Sequence, residues 1–391
     1  MENVIPKYTR PIPSKSDPIS DASFWDDAVD AFDEKKYVET VINVLSYMNP
    51  DIFDGVDTSG GEFEITKMQG SAEIYIKVTK TTFSVKAPFL KITNETNEVA
   101  LLRKIAEVNF TPLRLAQIRL KDKELWFEYE TSLTLCQPNK IYNVLRNIAI
   151  YADDYDDLFI DKYKAAFYKT PKVTPLTDSE KEIVWNQINT IFEEYKNYET
   201  FFEDKRWDDW VWDLIVIALL KISNMPYVNG KLRSDLIKNI SMLFDGDINY
   251  KHRLDKGKNY MHGLIAQSQE EIMKNVYHAD VFISLRWRSS PQIITDRLNN
   301  YLEKVKEYEK DGSNFNVSYY LQFILLKLIY DYNLDEKYKD AIETVLEEVS
   351  GLEPTESAPK LIKTFYALQT GSINKEDATK KKKGFFSNLF N

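Results

Sequence analysis

The stretch GEFEITKMQGSAEIYIKVTKTTFSVKAPFLKI, residues 61–92, decides how the chain is read. Its apolar residues fall at every second position. Phe63 and Ile65 share one side. Ala72, Ile74, Ile76 and Val78 line the next run, with Glu73, Tyr75 and Lys77 opposite, and Phe83, Val85 and Ala87 repeat the pattern. Successive side chains point to opposite faces only in a strand, so this period means three strands with one wet face. Short breaks at Gln69-Gly70 and Lys80-Thr81 join them as an antiparallel meander, and Pro88 marks an edge or a bulge.

On both sides the period returns to that of a helix. Upstream, SFWDDAVDAFDEKKYVETVINVLSYM (23–48) has Ser23 as a candidate N-cap, Asp26 and Asp27 in its first turn, and one slip in register near Lys35 and Lys36. Downstream, NEVALLRKIAEVNF (97–110) carries a stripe of Val99, Leu102, Ile105, Ala106 and Phe110. Two strands follow, 115–122 and 123–135, joined at Lys121-Asp122-Lys123, and PNKIYNVLRNIAIYADDYDDLFIDKY (138–163) closes the unit with Pro138 in its first turn. The order over 23–163 is α-βββ-α-ββ-α, and the fold class is α+β.

That order, with NFTPLRLAQIRLKDKELWFEYETSLTL (109–135) as a helix end, strand, turn and strand, resembles the type III secretion chaperone-like fold shared by secretion chaperones and the YbjN-like family. The resemblance covers just over a third of the chain and is one of topology, so it brings no functional residues with it. It implies a twisted antiparallel sheet packed on helices, a middle helix that serves dimerisation, and a protein-binding role.

The rest of the chain divides by composition. Residues 1–22, rich in proline, serine and lysine, read as a flexible arm, and 164–177, with Pro171 and Pro175, as a linker. Thr177 and Glu180 form a capping box that opens an all-helical domain, 178–371. Its helices are expected near 178–203, 206–223, 229–244, 258–277, 290–309, 315–332, 335–350 and 358–369. A polar linker and tail, 372–391, follow. The most apolar run, 210–220, is interrupted by Asp213 and is too short to span a bilayer.

Composition narrows function. A net charge of −10 argues against a general nucleic-acid binder, which needs a basic face. The lone cysteine, Cys136, cannot form an internal disulfide or a thiolate zinc site. With no apolar segment of signal type at the N-terminus, a cytoplasmic setting is expected. Phosphate-cradling loops, a nucleophile elbow and HExxH are missing from the sequence. His252, His262 and His278 show no ligand spacing, and Lys256 stands where a calcium loop starting at Asp245 needs its glutamate. The run Asp153, Asp154, Asp156 and Asp157 reads as a solvated helix end. Trp207, Trp210 and Trp212 follow core spacing. Arg286 and Arg288, beside Ser289 and Ser290 and just ahead of a helix start, form a candidate anion site. No catalytic residue, metal or cofactor is expected.

The tail is the remaining candidate. Lys380, Lys381, Lys382 and Lys383 precede Phe385, Phe386, Leu389 and Phe390, whose spacing makes one apolar helical face. So short a helix needs something to fold against. An anionic membrane surface and a groove on a protein both qualify. The reading is a non-enzymatic cytoplasmic adaptor or chaperone-like protein that binds partner proteins, as a homodimer if the middle helix pairs, with the tail docking to a complex or to the inner face of a membrane. A structural subunit of a multiprotein machine and an enzyme with a site between the domains are the alternatives.

Overall fold

A computed structural model describes residues 7, 8, 10, 18, 21–171, 173–225, 227–284 and 286–373. The fold is α+β. The first half runs α1 (Ser23–Asp33), α2 (Tyr37–Met48), β1 (Phe63–Gln69), β2 (Ala72–Val78), β3 (Thr82–Lys91), α3 (Glu98–Phe110), β4 (Gln117–Lys121), β5 (Glu124–Ser132), α4 (Pro138–Tyr163) and β6 (Ala166–Phe167). The strands form one antiparallel sheet in the order β1-β2-β3-β5-β4, with β6 pairing the end of β3.

Each feature has a local cause. The expected helix 23–48 is two helices, because Lys35 takes a left-handed φ of 62° at the point where the apolar register slips. Strands β1 and β2 pair from Phe63–Val78 to Gln69–Ala72, leaving Gly70 and Ser71 as the turn, with Gly70 at φ +58°. Pro88 lies at a bulge in the β3–β5 ladder, the place where a strand tolerates a missing N–H. Alternate residues of β2, β3 and β5 are buried under α2 and α4 in a core that includes Ile74, Ile76, Phe83, Val85, Leu125 and Phe127. The opposite face of the sheet is polar, with Lys77 paired to Glu64 and Lys86 to Glu128.

The second half is built of α5 (Asp178–Lys205), α6 (Asp208–Ser223), α7 (Gly230–Leu243), α8 (Tyr250–Ile265), α9 (Gln269–Met273), α10 (Pro291–Lys310), α11 (Asn314–Asp331), α12 (Glu336–Val349) and α13 (Pro354–Gln369). The capping box at Thr177 and Glu180 opens α5 as the sequence indicates. Two expectations shift. The helix read at 258–277 is α8 starting at Tyr250, capped by Asn249, followed by the short α9. Helix α13 begins at Pro354, because Pro359 sits inside its second turn and does not start it. Helices α6 and α11 are buried nearly all round and form the centre of a second core. Among the described residues no helix is long and apolar enough to cross a membrane.

Three connections differ from a loose arm and linker. Tyr8 is buried in the helical core and Arg10 is ion-paired to α12. Residues 164–177 carry β6 and also β7 (Thr174–Pro175), which pairs with β8 (Tyr277–His278) of the helical half. Residues 280–288, which include β9 (Trp287–Arg288), lace the helical half to the sheet. Gly70 N–H donates to Asp280 O (2.8 Å), and Gln69 Oε1 accepts from the N–H groups of Phe282 and Ile283 (both 3.1 Å). Phe282 and Ile283 are buried in the sheet-half core.

Candidate functional site

Helix α3 packs Leu101, Ile105 and Val108 into the core. At 100° per residue these three cluster on one side, and Val99, Ala106 and Phe110 fall on the other. The stripe expected from the sequence is therefore split. Ile105 points inward, while Phe110 is 86% exposed, Val99 is 64% exposed and Ala106 is exposed, with Leu102 half-buried between them. The outward stripe spans about 16 Å of helix at 1.5 Å per residue. Exposed Arg103 lies on this same side, and an amphipathic helix ordinarily gives its outer side to charge, so exposed Val99, Ala106 and Phe110 around it, on a helix with a satisfied inner side, mark a mixed interaction surface.

The neighbouring sheet edge adds to the surface and limits how it can be used. Strand β4 ends the sheet beside α3. Asn109 Nδ2 donates to Ile118 O (2.9 Å) and its Oδ1 accepts from Ile118 N–H (2.7 Å), so a side-chain amide takes the place of the next strand. That blunts strand addition at the middle of β4. Leu120 lies on the same face as buried Ile118 yet is 45% exposed, a core-facing position the helices do not reach. Leu115, in the loop between α3 and β4, is also exposed. The surface thus suits a packed helix better than an added strand.

The other sequence candidates are dispersed. Lys380, Lys381, Lys382, Lys383, Phe385, Phe386, Leu389 and Phe390 lie outside the described residues. Arg286 and Arg288 diverge, because Arg286 sits in a bend ahead of β9 and Arg288 within it. Arg286 Nε donates to Asn224 Oδ1 in the helical half (3.2 Å), whereas the Arg288 guanidinium stacks 3.9 Å from the Trp25 ring of α1. Arg146 of α4 stacks in turn on Trp287 at 3.9 Å. The expected anion fork is a clasp between halves, and the helix start behind it is already capped by Ser290 Oγ, which accepts from Ile293 N–H.

The reading of the acidic run is corrected more strongly. Asp153, Asp154 and Asp156 do not face solvent, because the β1–β2 turn and α7 of the helical half pack on this side of α4. Asp153 accepts from the N–H and hydroxyl of Ser71, and Asp156 accepts from the same hydroxyl. Burial raises Asp154 to about 7, against the pull of Arg233 on α7. Gly70 is required here, since a Cβ would lie 2.0 Å from Asp153 Oδ1.

The histidines are separate. His262 pairs with Glu199 (2.8 Å) and His278 with Glu180 (3.4 Å). Among the described residues no group of three or more His, Cys, Asp or Glu is placed to hold a metal. Cys136 is buried, and desolvation pushes its thiol up to about 12. A groove of about 410 Å³ lies at the start of α2, and a cavity of about 40 Å³ beside Tyr8; neither is lined by residues 164–177. Sequence reasoning missed the docking of Tyr8 and Arg10. No local signal marked it, since the acidic helix it meets is more than 300 positions away along the chain. No protein-family model matches the chain, and a search of curated proteins finds no relative.

Proposed function

We propose that this chain is a non-enzymatic, cytoplasmic adaptor of chaperone-like kind that acts through macromolecular surfaces, and that the outward side of α3 is its primary docking face. The supporting observation is the exposed stripe of Val99, Ala106 and Phe110 opposite a fully packed inner side. The first occupant is a second copy of the same helix, related by a twofold axis so that each stripe covers the other. A client or partner protein engages the dimer, and the basic-aromatic tail from Lys380 to Phe390 brings the assembly to a larger complex or a membrane surface. Resemblance to the secretion-chaperone fold supports the same reading.

Sedimentation equilibrium of the wild-type chain and of Phe110→Glu tests it. A glutamate at the centre of an apolar contact is desolvated without a partner, which weakens association by about 2 kcal/mol or more, roughly thirtyfold. The expected result is a wild-type dimer in the micromolar range and a monomeric variant with an unchanged circular dichroism melt. A wild type that stays monomeric at 100 times that concentration removes the dimer.

A further inference from the structure

Lys7, Tyr8 and Arg10 of the N-terminal arm lie in a groove formed by α5, α6, α11 and α12. Tyr8 is 7% exposed, its ring in the helical core with Met225 and Tyr330 along the same pocket wall. Its N–H donates to Ser350 Oγ (3.0 Å), and Gln187 Nε2 donates to the carbonyl of Arg10 (3.2 Å), so the main chain is held on both sides of residue 9. The Arg10 guanidinium meets three carboxylates of α12, Glu347 at 2.8 Å, Glu343 at 3.2 Å and Asp340 at 3.6 Å, and donates to Thr344 Oγ1 (3.2 Å).

This arrangement reads an aromatic ring, a cation and the main chain at once. Tyr8 and Arg10 meet the same groove, so the arm presents the ring and the cation together. The ring fills an apolar slot. The cation answers carboxylates at i, i+3 and i+7 of α12, which lie along one side of that helix and repel one another without it. Glu343 shows the need. Burial raises its carboxyl and Asp340 raises it further, while Lys339, Arg10 and Arg286 pull it down. Residues 11–20 separate Arg10 from Asp21 along the chain. Side chains of the same chemistry on another polypeptide would meet the same slot and the same three acids.

We propose that the groove is a recognition site for a Tyr-x-Arg segment, that the chain's own Tyr8 and Arg10 fill it in cis, and that a partner protein carrying such a segment occupies it once the arm is displaced. The proposal is independent of the α3 face.

The test uses a protein lacking residues 1–10 and a fluorescein-labelled peptide of residues 4–13, VIPKYTRPIP, read by fluorescence anisotropy. Saturable binding to the shortened protein is expected. Peptides carrying Tyr8→Ala or Arg10→Glu should bind at least about tenfold more weakly. The full-length protein should also bind at least about tenfold more weakly, because its tethered arm competes at an effective concentration near the millimolar range. If the shortened protein does not keep a native melt, full-length Arg10→Glu takes its place as the opened form, and capture of the wild-type peptide by it is the supporting result. No binding to a folded opened form, equal binding of the three peptides, or equal binding by opened and wild-type protein overturns the proposal.

Discussion

Helices α3 and α4 belong to the same half of the molecule, and the fold treats their outward sides in opposite ways. Asp153, Asp154 and Asp156 of α4 are covered. Ser71 donates to Asp153 and Asp156, and Ser234 Oγ of α7 donates to the carbonyl of Asp154 (3.3 Å). The outward side of α3 carries Val99, Ala106 and Phe110 around Arg103, all exposed to water. A polar helix side has thus been taken inside the molecule and exposed apolar residues left outside. The first arrangement ties α4 to the β1–β2 turn and to α7, and the second is free for another chain. Substitutions on the two helices should therefore separate into those that cost folding and those that cost only association.

The largest effect belongs at the α4 seam. Gly70→Ala places a side chain on a left-handed backbone and 2.0 Å from Asp153 Oδ1. The backbone conformation alone costs about 1–2 kcal/mol, and moving Asp153 off Ser71 adds a lost charge-assisted hydrogen bond, for a total of about 3 kcal/mol. Urea denaturation measures it. A change below about 1 kcal/mol would mean that the seam is slack and the contrast with α3 is overstated.

Next in size is a pH effect. Burial raises Asp154 to about 7 and, in the helical half, Asp213 to about 8. A carboxyl raised on folding keeps its proton in the folded state at pH values where the unfolded chain has lost it. The folded state then binds more protons between about pH 4 and 7, so stability falls as pH rises through that window. Asp154→Asn removes the titration and should gain on the wild type by about 1–3 kcal/mol between pH 4 and 8. Asp213→Asn should show the same trend carried about one pH unit higher. Urea midpoints from pH 4 to 9 give both curves, and a difference independent of pH would show Asp154 ionised throughout.

On α3 the expected effect on folding is the smallest. Phe110 is already in water, so Phe110→Glu should change the folding free energy by less than about 0.5 kcal/mol while abolishing self-association. A large loss of stability there would make the stripe part of the core of its own chain.

Much of the sheet half was legible because its signals are local. A two-residue period, turns at Gly70 and at Asp122-Lys123, and the bulge at Pro88 are each set by a few adjacent residues. The register slip at Lys35 was equally local, although its meaning as a helix break needed the positive φ. What could not be read was set by distant partners. Asp153 looks like any solvated acid until the turn at Ser71 is brought against it from 82 positions away. Arg286 and Arg288 look like a fork until the fold brings Asn224 to one and Trp25 to the other. The α3 stripe was visible as apolar spacing, and 100° per residue already separates Ile105 from Phe110, but which of the two faces the core was set only when the core closed. The docking of Tyr8 and Arg10 depends on α12, more than 300 positions away along the chain.

The central claim, that α3 is where this chain meets another, is tested most directly by a cysteine at Ala106. The native Cys136 is buried with its thiol raised to about 12, so it does not compete under mild oxidation. Ala106→Cys should form a covalent dimer on oxidation, while Val29→Cys, on the exposed side of α1, should remain a monomer under the same conditions. Equal cross-linking of the two variants, or none with Ala106→Cys at concentrations where the protein sediments as a dimer, would contradict the account.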